Sequence, residues 1–424
     1  MTAASQRRPP VGRNMPVALA FVAMFASAPG QSFLLSVFVN PILAGVGING
    51  GTFSAVFLVA TVLGAGFGFG IGPAAEILGL GPMWSIVALG LAVGCGVMAI
   101  AHGVLAAAVG IVLLRTFGQV GLPLVGTLIV SFWCASRPGA AMAVASGGFI
   151  AATVALPPLL AQLILAVGWR ATYWLLALAL AGGVAPLGAV VWRMGSFRAV
   201  AVKRSPGVTV PTDDPVPGVR VGAPPTLWRS VVLLVTVLTA PGILITALSV
   251  NAVSLLGTRG ISAAAAPFAV SALGLGMAAG MALAGPVADR LGTRTLLLAL
   301  SSILTAGAAL LFIPRVTFAY VGYGGIGLAD GVWAIANGMA WVENYDLDGI
   351  GTLQGLSFGV QTAAMGIAPL PLVLSVSLSG SYTAGLACLL AVAASAVAAA
   401  MLWRAPSAGY RAGRRGAGEG ISQA

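Results

Sequence analysis

The sequence predicts an all-α membrane protein of about twelve transmembrane helices, arranged as two related six-helix bundles. Three observations carry this reading. First, 59% of the 424 residues are hydrophobic and only 7% are charged, and mean hydropathy is +1.04. A soluble domain carries roughly 25% charged residues because its surface must stay wet, so this chain uses lipid as solvent. Second, the apolar residues fall in runs of the ~20 residues needed to cross a bilayer, rather than the ~10–14 of a buried soluble helix. Third, a short motif recurs half a chain length apart.

Twelve such runs can be read along the chain. They cover roughly 16–39, 53–76, 83–101, 104–132, 140–166 and 171–192, then 231–255, 264–287, 295–313, 318–342, 354–378 and 382–403. The stretch 194–229 between the two sets contains Arg198, Lys203, Arg204, Asp213, Asp214, Arg220 and several prolines. A polar, proline-rich stretch of this kind reads as a linker. The expected organisation is a cytoplasmic tail (1–14), a first bundle (15–193), a cytoplasmic linker (194–229), a second bundle (230–403) and a second cytoplasmic tail (404–424). The first run is about two dozen residues long and eleven more follow, so it is a membrane span and not a cleaved signal peptide. Glycine, at 59 residues, suits helices that approach closely in lipid.

The net charge of +11 does not point to nucleic acid, because the basic residues form no groove or stripe. They sit at the ends of the apolar runs, where Lys and Arg set membrane orientation. With the N-terminus inside, 16 of the 20 basic residues fall on the cytoplasmic side and 3 outside (Arg170, Arg259 and Arg315). Both termini are therefore expected in the cytoplasm of a multi-pass cell-membrane protein. Cys95, Cys134 and Cys388 lie far apart within or beside apolar runs and read as small packing residues. A single His102 excludes a His-rich metal site. There is no nucleophile–base set, no phosphate-cradling loop with Lys and no pair of catalytic carboxylates on one face, so neither an enzyme nor a cofactor is expected.

The repeat lies after the second and the eighth runs. Gly72-Pro73-Ala74-Ala75-Glu76-Ile77-Leu78-Gly79 matches Gly285-Pro286-Val287-Ala288-Asp289-Arg290-Leu291-Gly292 at a constant offset of 213 residues. Gly, Pro, Ala, an acid, Leu and Gly coincide, which indicates duplicated halves. The second copy, continued to Thr293-Arg294, resembles the cytoplasmic loop signature of the major facilitator superfamily. Arg115-Thr116-Phe117-Gly118-Gln119-Val120-Gly121 resembles that family's fourth-helix arginine motif. Gly147-Gly148 through Pro157-Pro158 is loosely similar to its fifth-helix hinge. Gly30-Gln31-Ser32-Phe33, Gly351-Thr352-Leu353-Gln354-Gly355 and Gly380-Ser381-Tyr382 are similar to the monocarboxylate and oxalate/formate branch. The resemblance covers essentially 15–403. It implies a monomeric carrier whose two bundles rock around a central site near mid-membrane.

An ionisable residue inside a span costs at least about 2.5–3.5 kcal/mol on insertion scales, so it faces a cavity or a partner. Arg115 in the fourth span and Asp330 in the tenth are the two that lie clearly inside. Arg115 and Gln119 are four residues apart, and Asp330 and Asn337 seven apart, each pair on one helical face. Arg115 has a functional reading, binding a substrate carboxylate or helping proton coupling, beside a plainer one, bracing its own bundle through backbone carbonyls and Gln119. Asp330 is the candidate proton-coupling acid. Gln31, Asn251 and Gln361 are further candidate liners of a substrate cavity, with helix–helix hydrogen bonding as the plainer role. Gln31 follows Pro29-Gly30, which can open a helix and free backbone groups. Asp289, Arg290 and Arg294, with Glu76 more weakly, are candidate gating residues at helix ends. The expected function is secondary transport of a small organic solute, by proton coupling or exchange. The branch resemblance points to a carboxylate; a lone Arg115 disfavours a dianion and leaves a monocarboxylate, the leading expectation, or a neutral solute. The alternative is proton-coupled efflux of lipophilic or cationic compounds.

Overall fold

The computed structural model describes residues 14–134, 138–194, 225–345 and 350–404. Most of the 194–229 linker and the side chains of Glu76, Asp289 and Arg290 lie outside the described residues. Every regular element among the described residues is helical.

In the first half, α1 runs as Met15–Ala26 and Ser32–Val46 around a short 3-10 turn at Ala28–Gly30. It is followed by α2 (Gly50–Leu78), α3 (Leu80–Ala99) and α4 (Val104–Trp133). Then come α5 (Pro138–Val167) and α6 (Trp169–Arg193). In the second half, α7 (Pro225–Val250) continues into a short helix Ala252–Gly257. One helical stretch, Pro267–Leu310, is broken at Gly292 into α8 (267–291) and α9 (293–310). α10 is Val316–Asn344, α11 is Ile350–Ile367 plus Leu370–Ser379, and α12 is Thr383–Leu402. Among the described residues, eleven helices are long and apolar enough to cross a membrane. The tenth span, α10, is also long enough at 29 residues, and it is the one that carries Asp330 and Asn337.

The largest boundary correction is at α1, which ends at Val46 and not near residue 39. Pro41 lies inside the helix. A proline removes one N–H and clashes with one carbonyl, which can kink a helix without ending it.

The two halves share turns as well as helices. Six glycines among the described residues have positive φ, and they pair off between the halves. Gly47 and Gly260 (φ 74 and 76) and Gly79 and Gly292 (φ 89 and 73) each lie 213 residues apart. Gly168 and Gly380 (φ 84 and 68) fall one residue off that register. Gly79 and Gly292 are also the last glycines of the repeated motif, which explains their presence. The turns between α2 and α3 and between α8 and α9 pass through a left-handed conformation that only glycine adopts without strain.

The halves meet through α1 with α7, α2 with α11, and α5 with α8. Ser271 on α8 donates to the Val154 carbonyl on α5 at 2.6 Å, and Ser254 donates to the Asn40 side-chain oxygen at 2.7 Å. A Cβ on Gly366 would lie 2.8 Å from Leu58, and one on Gly274 2.8 Å from Val154, so both glycines mark close helix approaches. These contacts fall in the half of each helix that lies away from the termini. The two bundles are thus joined along that far side by neutral hydrogen bonds and small residues.

Candidate functional site

The centre of the first bundle is a joint between two irregular helix segments. α1 breaks at Ala28–Gly30, and α4 widens into a π-helix over Leu114–Gly121. The backbones touch where these segments cross: a Cβ on Gly30 would fall on the Leu114 carbonyl oxygen and 2.6 Å from the Gly118 Cα. Such irregular backbone is tolerated at membrane depth only if its freed polar groups find partners inside the protein.

Arg115 supplies one set of partners. It is fully buried, and its Nη1 donates to the Gly30 carbonyl and to the Ser32 hydroxyl, both at 3.1 Å. Its Nε donates to Thr61 Oγ1 on α2 at 3.1 Å; that hydroxyl is oriented as an acceptor because its own hydrogen goes to the Phe57 carbonyl. The guanidinium lies over the Phe57 ring, 4.4 Å from its centre. Its Nη2 is buried and has no hydrogen-bond partner among the described residues.

Gln31 supplies the other set. The N–H of Leu122 bonds back to Phe117, five residues earlier, and Pro123 has no N–H to offer. The Gly118 carbonyl is thereby left without a helical donor, and Gln31 Nε2 donates to it at 3.3 Å and to Ser27 Oγ at 3.3 Å. Gln119 is half-buried and makes no hydrogen bond to Arg115.

This joint predicts a sharp effect at Gly30. Gly30→Ala should separate α1 from α4, because the new methyl meets backbone atoms that cannot swing aside. About 1–3 kcal/mol of overpacking strain is expected, with weakening of the Arg115 bond to Gly30. A lowered melting temperature of the purified protein checks this; an unchanged one would show that the helices separate freely.

The second half presents a different picture. Asp330 lies mid-way along α10, between Tyr323, whose hydroxyl donates to the Leu248 carbonyl at 3.0 Å, and Trp333, whose Nε1 donates to the Leu238 carbonyl at 2.8 Å. These two bonds hold α10 against α7 on either side of it. Asp330 is half-buried and has neither hydrogen bond nor ion pair among the described residues. Two turns on, Asn337 has a buried Oδ1 without a partner. Gln361 on α11 is buried and donates to Ser357 Oγ at 2.9 Å. Asn251 donates to the Ala247 carbonyl at 2.9 Å and lines a cleft between the bundles on the far side. Arg294 is exposed, and its Nη2 donates to the Met401 carbonyl at 2.9 Å, tying the start of α9 to the end of α12.

Among the predicted residues, Arg115 and Gln31 are therefore brought to one joint, while Asp330 and Asn337 share a second helix. No hydrogen bond or ion pair among the described residues links these two sets, or either of them to Asn251 or Gln361. Thr61, Ser32 and Phe57 complete the Arg115 environment and were not singled out in the sequence. Pro123 is a sequence signal for the Gln31 part of the joint, since it lies five residues beyond the carbonyl that Gln31 satisfies.

Two related halves built from helices of membrane-spanning length define a polytopic membrane protein. Residues 20–369 match the family model described as "Major Facilitator Superfamily", and the chain belongs to that family. The solved nucleoside transporter NupG, crystallised as a point mutant, is similar at 12% identity and TM-score 0.66, covering 92% of this chain and 98% of that one. The peptide transporter POT, also a point mutant and solved in complex with sulfate, is similar at 13% identity and TM-score 0.70, covering 91% and 93%. No curated protein sequence matches the chain. At these identities the two structures are likenesses of fold. The protein is a multi-pass membrane transporter and not an enzyme.

Proposed function

We propose that the protein is a secondary active carrier for a small monocarboxylate, working by alternating access between its two bundles. One observation carries the substrate class: Arg115 is a buried cation with a hydrogen-bonding nitrogen, Nη2, that no described residue satisfies. A buried donor left unmade costs about 1–3 kcal/mol, and more when charged, so a carboxylate oxygen there would recover that cost. Charge-assisted bonds to a guanidinium are stronger and more directional than neutral ones. Arg115 and Gln31 bind, Asp330 carries the coupling proton, and Gln119, Asn337 and Gln361 line the path. Glu76, Asp289, Arg290 and Arg294 gate it at the terminal side.

A second reading rests on Asp330, whose carboxylate has no cationic partner among the described residues. A protonatable acid of this kind suits proton-coupled efflux of a lipophilic cation. Melting shifts of the purified protein across monocarboxylates and lipophilic cations separate the two readings. Stabilisation by monocarboxylates alone supports the carboxylate carrier; stabilisation by cations alone contradicts it.

Both termini are proposed to face the cytoplasm, following the distribution of basic residues. C-terminal fusions to a reporter active only inside the cell should give signal. A signal instead from a reporter active only outside would invert the orientation and the gating assignments with it.

A further inference from the structure

The far-side cleft lies between the bundles and encloses about 510 Å³. α1, α2, the end of α7 with its short extension, and the end of α11 all contribute to it. Its walls are mainly apolar, including Leu43, Phe53, Val250 and Val373, and none of its lining residues is charged. Moving an ion out of water into such a place costs several kcal/mol without a paired charge, so the cleft discriminates against ions.

Among its polar lining residues, Asn49, Ser254 and Ser377 already have hydrogen-bond partners, while Ser54 and Asn251 are incompletely used. Ser54 is 1% exposed, and its hydroxyl has no hydrogen-bond partner. Thr61, Thr153 and Ser301 each return their hydroxyl to the carbonyl four residues earlier, the ordinary habit of a helical hydroxyl; Ser54 shares its unpartnered state with Thr116 and Ser249, but of the three it alone lines this cleft. Ser54 makes no such bond to Gly50. Asn251 spends one amide hydrogen on Ala247, and no described bond uses its side-chain oxygen. A hydroxyl donor and an amide acceptor are therefore both available in one apolar cleft.

The geometry points to a second solute site in this cleft, which takes an uncharged, largely apolar small molecule bearing a carboxamide or hydroxyl group. Ser54 donates to the solute oxygen, and Asn251 accepts from its N–H or O–H. This site does not depend on Arg115 or Asp330 and stands whether or not the carrier's substrate is a carboxylate.

The test uses the full chain in detergent with Ser377→Cys as a reporter. Ser377 lines the cleft and is exposed, and Ser54 is left intact. Cys134 and Cys388 are replaced by alanine, whereas Cys95 is buried and stays. The rate of labelling by N-ethylmaleimide is measured with benzamide, benzoate or benzylammonium, which share one ring and differ in charge. At four times its Kd benzamide should slow labelling about fivefold by mass action, and the two ions should do so far less. Ser54→Ala in the same background should largely abolish the benzamide effect. Equal protection by all three, stronger protection by benzoate, no protection by benzamide, or protection that survives Ser54→Ala would each overturn the assignment.

Discussion

Replacing Arg115 by leucine is expected to cost both stability and transport, while Arg115→Lys should separate the two. In the leucine variant the Gly30 carbonyl loses its donor, and Ser32 and Thr61 lose theirs. Each buried group left unpaired costs about 1–3 kcal/mol, so a loss of several kcal/mol is expected. In lipid the freed Gly30 carbonyl is especially costly, because no water replaces its partner. Lysine keeps the charge but lacks the planar fork, so it cannot span Gly30, Ser32 and Thr61 while presenting another nitrogen to a ligand. Arg115→Lys should fold with a modestly lowered melting temperature. Its affinity for a monocarboxylate should fall about tenfold or more, equivalent to about 1.4 kcal/mol. Undiminished affinity in that variant would assign Arg115 to bracing α1 against α2 and α4 and nothing else.

The second large effect is expected at Asp330. Asp330→Asn preserves the size of the side chain but removes its ability to take up and release a proton. Asp330 has no described partner to be orphaned, so stability should change little, within about 0.5 kcal/mol as for substitutions that break no network. Accumulation against a gradient should be abolished, whereas exchange of labelled for unlabelled solute across the membrane should persist. The contrast matters because a merely structural role would impair both together. Accumulation at the wild-type level would remove Asp330 from the coupling mechanism.

The architecture was largely legible in the sequence, because its strongest determinants are local and periodic. Apolar runs of bilayer length mark each helix, and the 213-residue offset marks the duplication. The structure extends that duplication to the turns, where Gly47 pairs with Gly260 and Gly79 with Gly292. α1 runs past Asn40 and Pro41 to Val46, beyond the first apolar run, because a proline can lie inside a helix without ending it.

The site was less legible, for a different reason. Arg115 and Asp330 stand out because charge inside a span is costly, and that much is a property of single residues. What Arg115 touches is not. Thr61, Ser32 and Gly30 lie 54, 83 and 85 residues away, and no sequence period brings them to α4. The π-helix over Leu114–Gly121 has no simple signature either, and it changes which carbonyls need partners. Pro29-Gly30 did signal a break in α1, but the break's carbonyl is taken by Arg115 itself. Two nitrogens of Arg115 brace the bundle, and the third, Nη2, is buried without a partner among the described residues; the proposed carboxylate contact rests on that third nitrogen.

The central claim is gradient-driven carriage of a monocarboxylate, and it is tested most directly in proteoliposomes containing the purified protein. Uptake of labelled small monocarboxylates is followed under an imposed pH gradient, with and without a protonophore. The account predicts saturable uptake that rises above equilibrium, collapses with the protonophore, and is lost in Asp330→Asn while exchange remains. Uptake that never saturates, or that ignores the gradient for every monocarboxylate while a lipophilic cation is carried, would contradict it.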